Sequence, residues 1–439
     1  MKLPRLVLRN LRRRPLATVL TTLSVALGVG LFATVGAMRQ AAQEGFLRSA
    51  SVCDVIVGAK GSPLQLTLNT LYHLGLSPGN VSFAAYEELA AHPGAAWAVP
   101  TAVGDSYRGH RIVATTDALF SELELRGAGP LRFAAGGPWR FGHDELLAAH
   151  AGLRAELAEG HGPHDGHDHG SSDPSWQRAV LGAAVARETG LAVGDRLVPV
   201  HDVQDSPTAE RHEEAELEVC GVLAPTGTPF DRAIWIPLGA FYAVAGHRAD
   251  DATATGGARD PLGLSAVLVR TDARRGMHAL RLWRDFNDRL DTQAARPAAE
   301  VQNLFRIVGG IDQLMRVIAA LVVAVALVGV MVAISNTMGA RRREFAVLRA
   351  LGAGRRALLT LVVLESAAIS LAGGLLGLAL AGGGVWLGAG ALEAQTGVSV
   401  SALPGGPEGI LLLATTAVGA LAGLVPALAA YRTEAARWL

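Results

Sequence analysis

Four apolar stretches, at residues 16–38, 317–338, 358 to about 381 and 410 to about 430, set the main limit on what this chain can fold into. Each reaches about 20 residues, enough for a helix to cross the roughly 30 Å hydrocarbon core of a bilayer. Flanking charge orients them, because Lys and Arg in short loops stay on the cytoplasmic side. Lys2, Arg5, Arg9, Arg12, Arg13 and Arg14 precede the first stretch with no acid among them. Arg341, Arg342, Arg343, Arg349, Arg355 and Arg356 lie between the second and third, and Arg432 and Arg437 follow the fourth. The connection 388–409 holds Glu393 and Glu408 but no Lys or Arg. These assignments agree: both termini are expected in the cytoplasm and residues 39–313 outside it. The first stretch exceeds the 7–15 residues usual for the apolar part of a signal peptide, so it reads as a retained anchor.

Composition narrows the function classes. Lys plus Arg and Asp plus Glu number 39 each, and charged residues make up 18% of the chain, against about 25% in an average soluble protein. Basic residues gather at the edges of the apolar runs, which argues against a nucleic-acid partner. Lys2 and Lys60 are the only lysines. With no Gly-x-x-x-x-Gly-Lys-Ser/Thr, the chain cannot hold nucleotide in a Walker-type loop, and any ATPase is another polypeptide. A Gly-x-Ser-x-Gly elbow is missing too, and nothing around Cys53 or Cys220 resembles a nucleophile motif, so the chain does not read as an enzyme. The two cysteines read as separately buried small hydrophobes, with a disulfide as the alternative.

The outer segment, about 275 residues, is long enough for a real core. Strands are expected at 54–57, 111–115, 196–200, 216–223 and 233–237. Helices are expected at 83–91 after Ser82, at 117–123, at 144–159, from 183 to Thr189-Gly190, and at 277–290. Residues 58–63 read as a breaker, 249–263 as a loop and 297–312 as a stalk into the second span. Strands and helices without a βαβ rhythm indicate an α+β domain. The expected architecture is therefore four transmembrane α-helices with a large α+β periplasmic domain between the first and second. The segments are 1–38, 39–313 and 314–439.

His161, His164, His167 and His169 fall within nine residues, beside Asp165 and Asp168. Imidazole and carboxylate both ligate zinc, so this stretch, 161–170, is a candidate for weak zinc binding, with a solvated insertion as the alternative. No His-Glu-x-x-His spacing supports a catalytic zinc. His73, His92, His110 and His143 read as surface or packing residues. Glu365, about two turns into the third span, is a functional candidate because an ionisable group in lipid needs a partner; pairing with Arg355 or Arg356 is the alternative. Gly373 and Gly377, spaced for close helix approach, are packing candidates, within the chain or against a second copy.

The run Arg341-Arg342-Arg343-Glu344-Phe345-Ala346-Val347-Leu348-Arg349-Ala350-Leu351-Gly352-Ala353, then Leu364-Glu365-Ser366 and Gly373-Gly374-Leu375-Leu376-Gly377, resembles the FtsX-like permease domain of macrolide-exporter and lipoprotein-releasing ABC transporters. Gly423-Leu424-Val425-Pro426-Ala427 resembles the end of that domain, and Leu8-Arg9-Asn10-Leu11-Arg12-Arg13-Arg14-Pro15 the family's N-terminus. Val180-Leu181-Gly182, Gly190-Leu191-Ala192-Val193-Gly194-Asp195 and Val219-Cys220-Gly221-Val222-Leu223 are similar to its periplasmic core domain. The resemblance implies a multi-pass protein of the bacterial inner membrane that works as a homodimer or heterodimer of permease subunits with cytoplasmic ABC ATPase subunits. It also implies a coupling helix at about 341–352, with Phe345, Leu348 and Leu351 on one face and Arg343, Glu344 and Arg349 beside them. The periplasmic domain would do mechanical work on a periplasmic or membrane substrate, or on a periplasmic binding or accessory protein. Macrolide-exporter members of the family carry an ATPase ahead of the first span, whereas this sequence begins at that span, so resemblance to the stand-alone permeases is expected. Zinc-linked transport is one expectation; export of lipoproteins, lipids or peptides, and a scaffold that regulates a periplasmic hydrolase, are the alternatives.

Overall fold

The computed structural model describes residues 3–125, 129–158, 176–201, 216–243, 263–350, 354–396 and 407–432. The histidine-rich stretch 161–170 and all but the last residue of the expected loop 249–263 lie outside these. Two compact units result, one formed by Met1–Ala42, Ile307–Ala391 and Val400–Leu439, the other by Gln43–Arg306 with Leu392–Ser399.

The chain opens with α1 (Leu3–Arg12) and α2 (Pro15–Ala50). The turn between them, at Arg13 and Arg14, ends where Pro15 starts the second helix, a position at which a missing N–H costs nothing.

The larger unit is built on one mixed sheet. Strand β1 (Val55–Ala59) is buried at all five positions. The expected breaker ends β1 and leads into α3 (Pro63–Tyr72), which starts there because Ser62 caps the Gln65 N–H and Pro63 sits in the first turn. Helix α4 (Phe83–Ala91) starts at Ser82 as its cap predicts, and is followed by β2 (Ala95–Tyr107) and β3 (His110–Thr115). Arg108 and Gly109 join those strands with φ of 47° and 79°, the pair of positive angles that a two-residue hairpin turn requires. Next come α5 (Ala118–Glu122), β4 (Phe133–Gly136), α6 (His143–Ala158), β5 (Arg178–Leu181) and α7 (Ala183–Thr189). The unit continues with β6 (Leu217–Leu223), β7 (Ile234–Pro237), α8 (Leu238–Ala243), β8 (Ala266–Thr271), α9 (Gly276–Asn287) and β9 (Thr292–Ala295). Residues 196–200, expected as one strand, form two short pieces, Arg196–Leu197 on β6 and Val200–His201 on β2, with Pro199 between them.

The strands lie in the order β9-β1-β8-β2-β3-β7-β5-β6-β4. Pairing is antiparallel except for β3 with β7 and β5 with β6. Trp235, Tyr86, Tyr242, Phe83, Phe141, Phe230 and Phe286 fill the core. Cys53, just before β1, is buried, and Cys220 on β6 is half-buried with its thiol donating to the Ala179 carbonyl at 3.4 Å; both are free. Strands β1 and β6 are six places apart, about 29 Å at the usual spacing, so this fold keeps the two thiols from pairing.

The unit is entered and left at one edge of the sheet. Helix α2 feeds β1, and β9 feeds α10 (Pro297–Ala350). There Phe46 of α2 stacks on Tyr72 at 4.9 Å and meets Phe305 of α10 edge-on at 5.8 Å, while the Tyr72 hydroxyl donates to the Phe46 carbonyl at 2.6 Å.

The remaining helices are α11 (Arg355–Thr396) and α12 (Pro407–Arg432). Among the described residues, four segments are long and apolar enough to cross a membrane: Pro15–Ala50, Gln313–Asn336, Arg356–Ala391 and Glu408–Leu428. The third runs past the expected end near 381, because Gly382, Gly383 and Gly384 stay in the helix; where lipid replaces water, glycine does not end a helix. The basic segment from Arg341 is no separate helix: α10 continues without a break to Ala350, and Leu351 lies outside the described residues.

Candidate functional site

In the span-bearing unit, α11 is the helix against which others pack. A Cβ on Gly373 would stand 2.7 Å from the Val25 Cβ and 2.9 Å from the Thr22 carbonyl oxygen. On Gly377 it would stand 2.7 Å from the Ala26 carbonyl oxygen and 3.0 Å from the Gly30 nitrogen. These two positions therefore meet α2 of the same chain, backbone against backbone. A second seam faces α12, where Ser366 and Ser370, both fully buried, lie against Gly423 and Gly419. The Ser366 hydroxyl returns a hydrogen bond to the Val362 carbonyl at 3.1 Å, so a polar group is carried through an apolar contact with its donor satisfied.

One residue before Ser366, half-buried Glu365 lines a small cavity of about 50 Å³ with Asn10, Leu11, Arg13, Arg14, Ala17, Thr18, Thr21, Ala333, Ile334 and Ile369. The turn at Arg13 and Arg14 lets α1 contribute Asn10 while α2 contributes Thr18 and Thr21. Thr18 and Thr21 donate to the Leu11 and Ala17 carbonyls at 3.2 and 2.7 Å. Arg13 and Arg14, which in the sequence serve only as orientation markers, line this cavity. A carboxylate and two guanidinium-bearing residues can hold one another, or a water, at the end of an apolar bundle. Since Glu365 is half-buried, Glu365→Gln should cost about 1 kcal/mol or less in thermal unfolding; a much larger loss would mean that the carboxylate is deeply desolvated.

Arg343, Glu344, Phe345, Leu348 and Arg349 fall on the last turns of α10, where 345 and 348, three apart, share a face. Among the described residues no group of three or more His, Cys, Asp or Glu could hold a metal ion. His161, His164, His167 and His169 lie outside those residues.

The family profile of the MacB-like periplasmic core domain matches residues 18–276, more than half of the chain, and that of the FtsX-like permease C-terminal region matches residues 316–435. No curated protein matches the sequence. Of solved structures, the periplasmic region of MacB from Actinobacillus actinomycetemcomitans is similar over 58% of this chain and 94% of its own, at 10% identity and a TM-score of 0.33. The extracellular domain of the noncanonic ABC-type transporter YknZ from Gram-positive bacteria is similar over 55% of this chain and 98% of its own, at 14% identity and a TM-score of 0.27. Both structural likenesses are low, and the assignment rests on the two sequence matches. The chain belongs to the FtsX-like permeases of ABC transporters, as a multi-pass membrane protein whose MacB-like periplasmic core domain lies between its first and second spans.

Proposed function

We propose that this chain is a transporter subunit of the bacterial inner membrane, with both termini in the cytoplasm, driven by a separate cytoplasmic ATPase. The ATPase engages Phe345 and Leu348 on the last turns of α10 together with Leu351, with Arg343, Glu344 and Arg349 around them. A second permease copy completes the complex, and the periplasmic core domain acts on a periplasmic or membrane substrate. What supports this reading is α10 itself, which starts beside β9, passes through an apolar span and ends in the arginine-rich segment without a break in 54 residues. A helix of that length transmits displacement along its axis, because each turn is hydrogen-bonded to the next.

The test is purification of the full chain in mild detergent, with identification of the proteins that accompany it and assay of ATP hydrolysis. A Walker-motif ATPase whose turnover depends on this chain is the expected result; no such ATPase in the complex would refute the reading. Zinc enters as a further part of the proposal, resting on the donor chemistry of His161, His164, His167 and His169 alone. Replacing all four by serine should leave the melting temperature unchanged and impair function only when zinc is scarce. Equal function under zinc limitation would remove metal from the mechanism.

A further inference from the structure

Arg111, on β3, is 5% exposed, so its guanidinium lies inside the core domain. Burial lowers its pKa from the usual value, yet a guanidinium stays charged in proteins. Its Nη2 donates to the Gly75 carbonyl at 2.8 Å. Nε and Nη1 are sealed from solvent without an acceptor among the described residues. Acidic residues, the ordinary partners of a buried arginine, supply it no hydrogen bond there. Two residues before Gly75, His73 ends α3 in the left-handed region at φ 55°, a conformation that non-glycine residues rarely hold. Both of its ring nitrogens are closed off and unpartnered among the described residues. Burial, with the charges of Arg111 and Arg232 adding to it, holds this imidazole down at about 3, so at neutral pH it offers one donor and one acceptor. The ring stands edge-on to Trp235 at 5.9 Å, and the Trp235 Nε1–H is likewise buried with no acceptor among those residues.

Four donor nitrogens and one acceptor therefore look for partners around a fixed positive charge. Water could serve any one of them, but a water donates as often as it accepts. The complement of a donor-rich, positively charged site is a group that only accepts. We propose that Arg111, Trp235 and His73 form a binding site for a carboxylate or phosphate group inside the core domain, walled on one side by the 74–80 loop. That wall borders solvent, since Leu74 and Leu76 are exposed, and it is tied down at the Gly75 carbonyl, which accepts from both Arg111 and the Asn69 amide at 3.0 Å. Gly75 and Gly79, at φ of 71° and 137°, give the loop the backbone freedom to part.

The full chain in detergent, melted in sodium acetate, sodium phosphate and sodium chloride at equal ionic strength, tests this. Acetate or phosphate should raise the melting temperature by about 2 °C or more beyond chloride, as a ligand that binds only the folded state does. Which anion acts tells a carboxylate ligand from a phosphate one. Arg111→Met should abolish the rise and, in chloride, melt no lower than the parent, because it removes a buried charge that lacks a counter-charge. An equal rise in Arg111→Met would mean that the anion binds elsewhere and would overturn the site. So would a parent that ignores both anions while Arg111→Met melts far lower, which would make the arginine a water-bridged structural group. If Arg111→Met does not fold, Trp235→Phe, which removes one donor and keeps a ring, should weaken the anion response; an unchanged response there also overturns the proposal.

Discussion

Changing Phe345 and Leu348 to aspartate should lower the ATPase turnover stimulated by this chain at least about tenfold, while the protein still reaches the membrane in normal amount. Two apolar anchors on one helical face are the kind of contact whose loss costs about 2 kcal/mol or more each in a protein interface, and placing charge there adds desolvation. Insertion should not suffer, because the change falls after the apolar span Gln313–Asn336 and leaves the positive charge of the segment in place. Membrane yield and coupled ATP hydrolysis, measured side by side, separate the two effects. Full turnover in the double variant would remove these residues from the coupling surface.

Gly377→Leu should collapse the packing of α2 on α11 and leave little folded protein in detergent. A Cβ at that position already meets the Ala26 carbonyl oxygen at 2.7 Å and the Val29 Cβ at 2.9 Å, and Gly30 faces it from α2 with equal need for closeness. Backbone cannot rotate aside as a side-chain tip can, so the helices must separate; even Gly377→Ala should cost about 1–3 kcal/mol. Gly382, on the same helix, has none of the described residues within 4 Å of where a Cβ would stand, and Gly382→Leu should melt within about 1 kcal/mol of the parent. Similar losses at both positions would show that the helix tolerates no large residue anywhere, and the specific seam would be lost as an explanation.

The spans are legible in the sequence because hydropathy over 20 residues is a sum that no single neighbour can reverse. Local chemistry is legible where it acts alone: Ser82 before α4 and Gly190 after α7 terminate their helices as their side chains, or the lack of one, dictate. Helix α3 escapes a local reading because Ser62-Pro63 both ends a strand segment and starts a helix, as proline in the first turn does. Strand β2, the longest of the sheet, escapes a local reading because Pro100 and Gly104 punctuate it; pairing with β8 and β3 on either side overrides that weak local preference, and the register slips between Val103 and Ser106 where Gly104 falls. The cavity around Glu365 is half legible. The carboxylate announces itself by standing in an apolar run, but its neighbours Asn10, Arg13 and Arg14 are more than 350 residues away in sequence and reach it only through the turn between α1 and α2. The Arg111 group is invisible there, since a strand position and a helix cap give no hint that they will share an interior.

If an ATPase drives the core domain as proposed, entry and exit at one edge would let the sheet work as a lever. Strand β4 lies eight places from β9, about 38 Å at the usual spacing, while Phe46, Tyr72 and Phe305 clamp the other end around a few ångströms of ring contact. A turn of about 10° at that clamp would sweep the far strand through about 7 Å. Distances between spin labels at the two edges, measured with and without ATP in the assembled complex, would register a stroke of that size, and no change would mean that the lever stays at rest. Amplification of this kind trades force for reach, and the end of the sheet that moves furthest is also the end that pushes least.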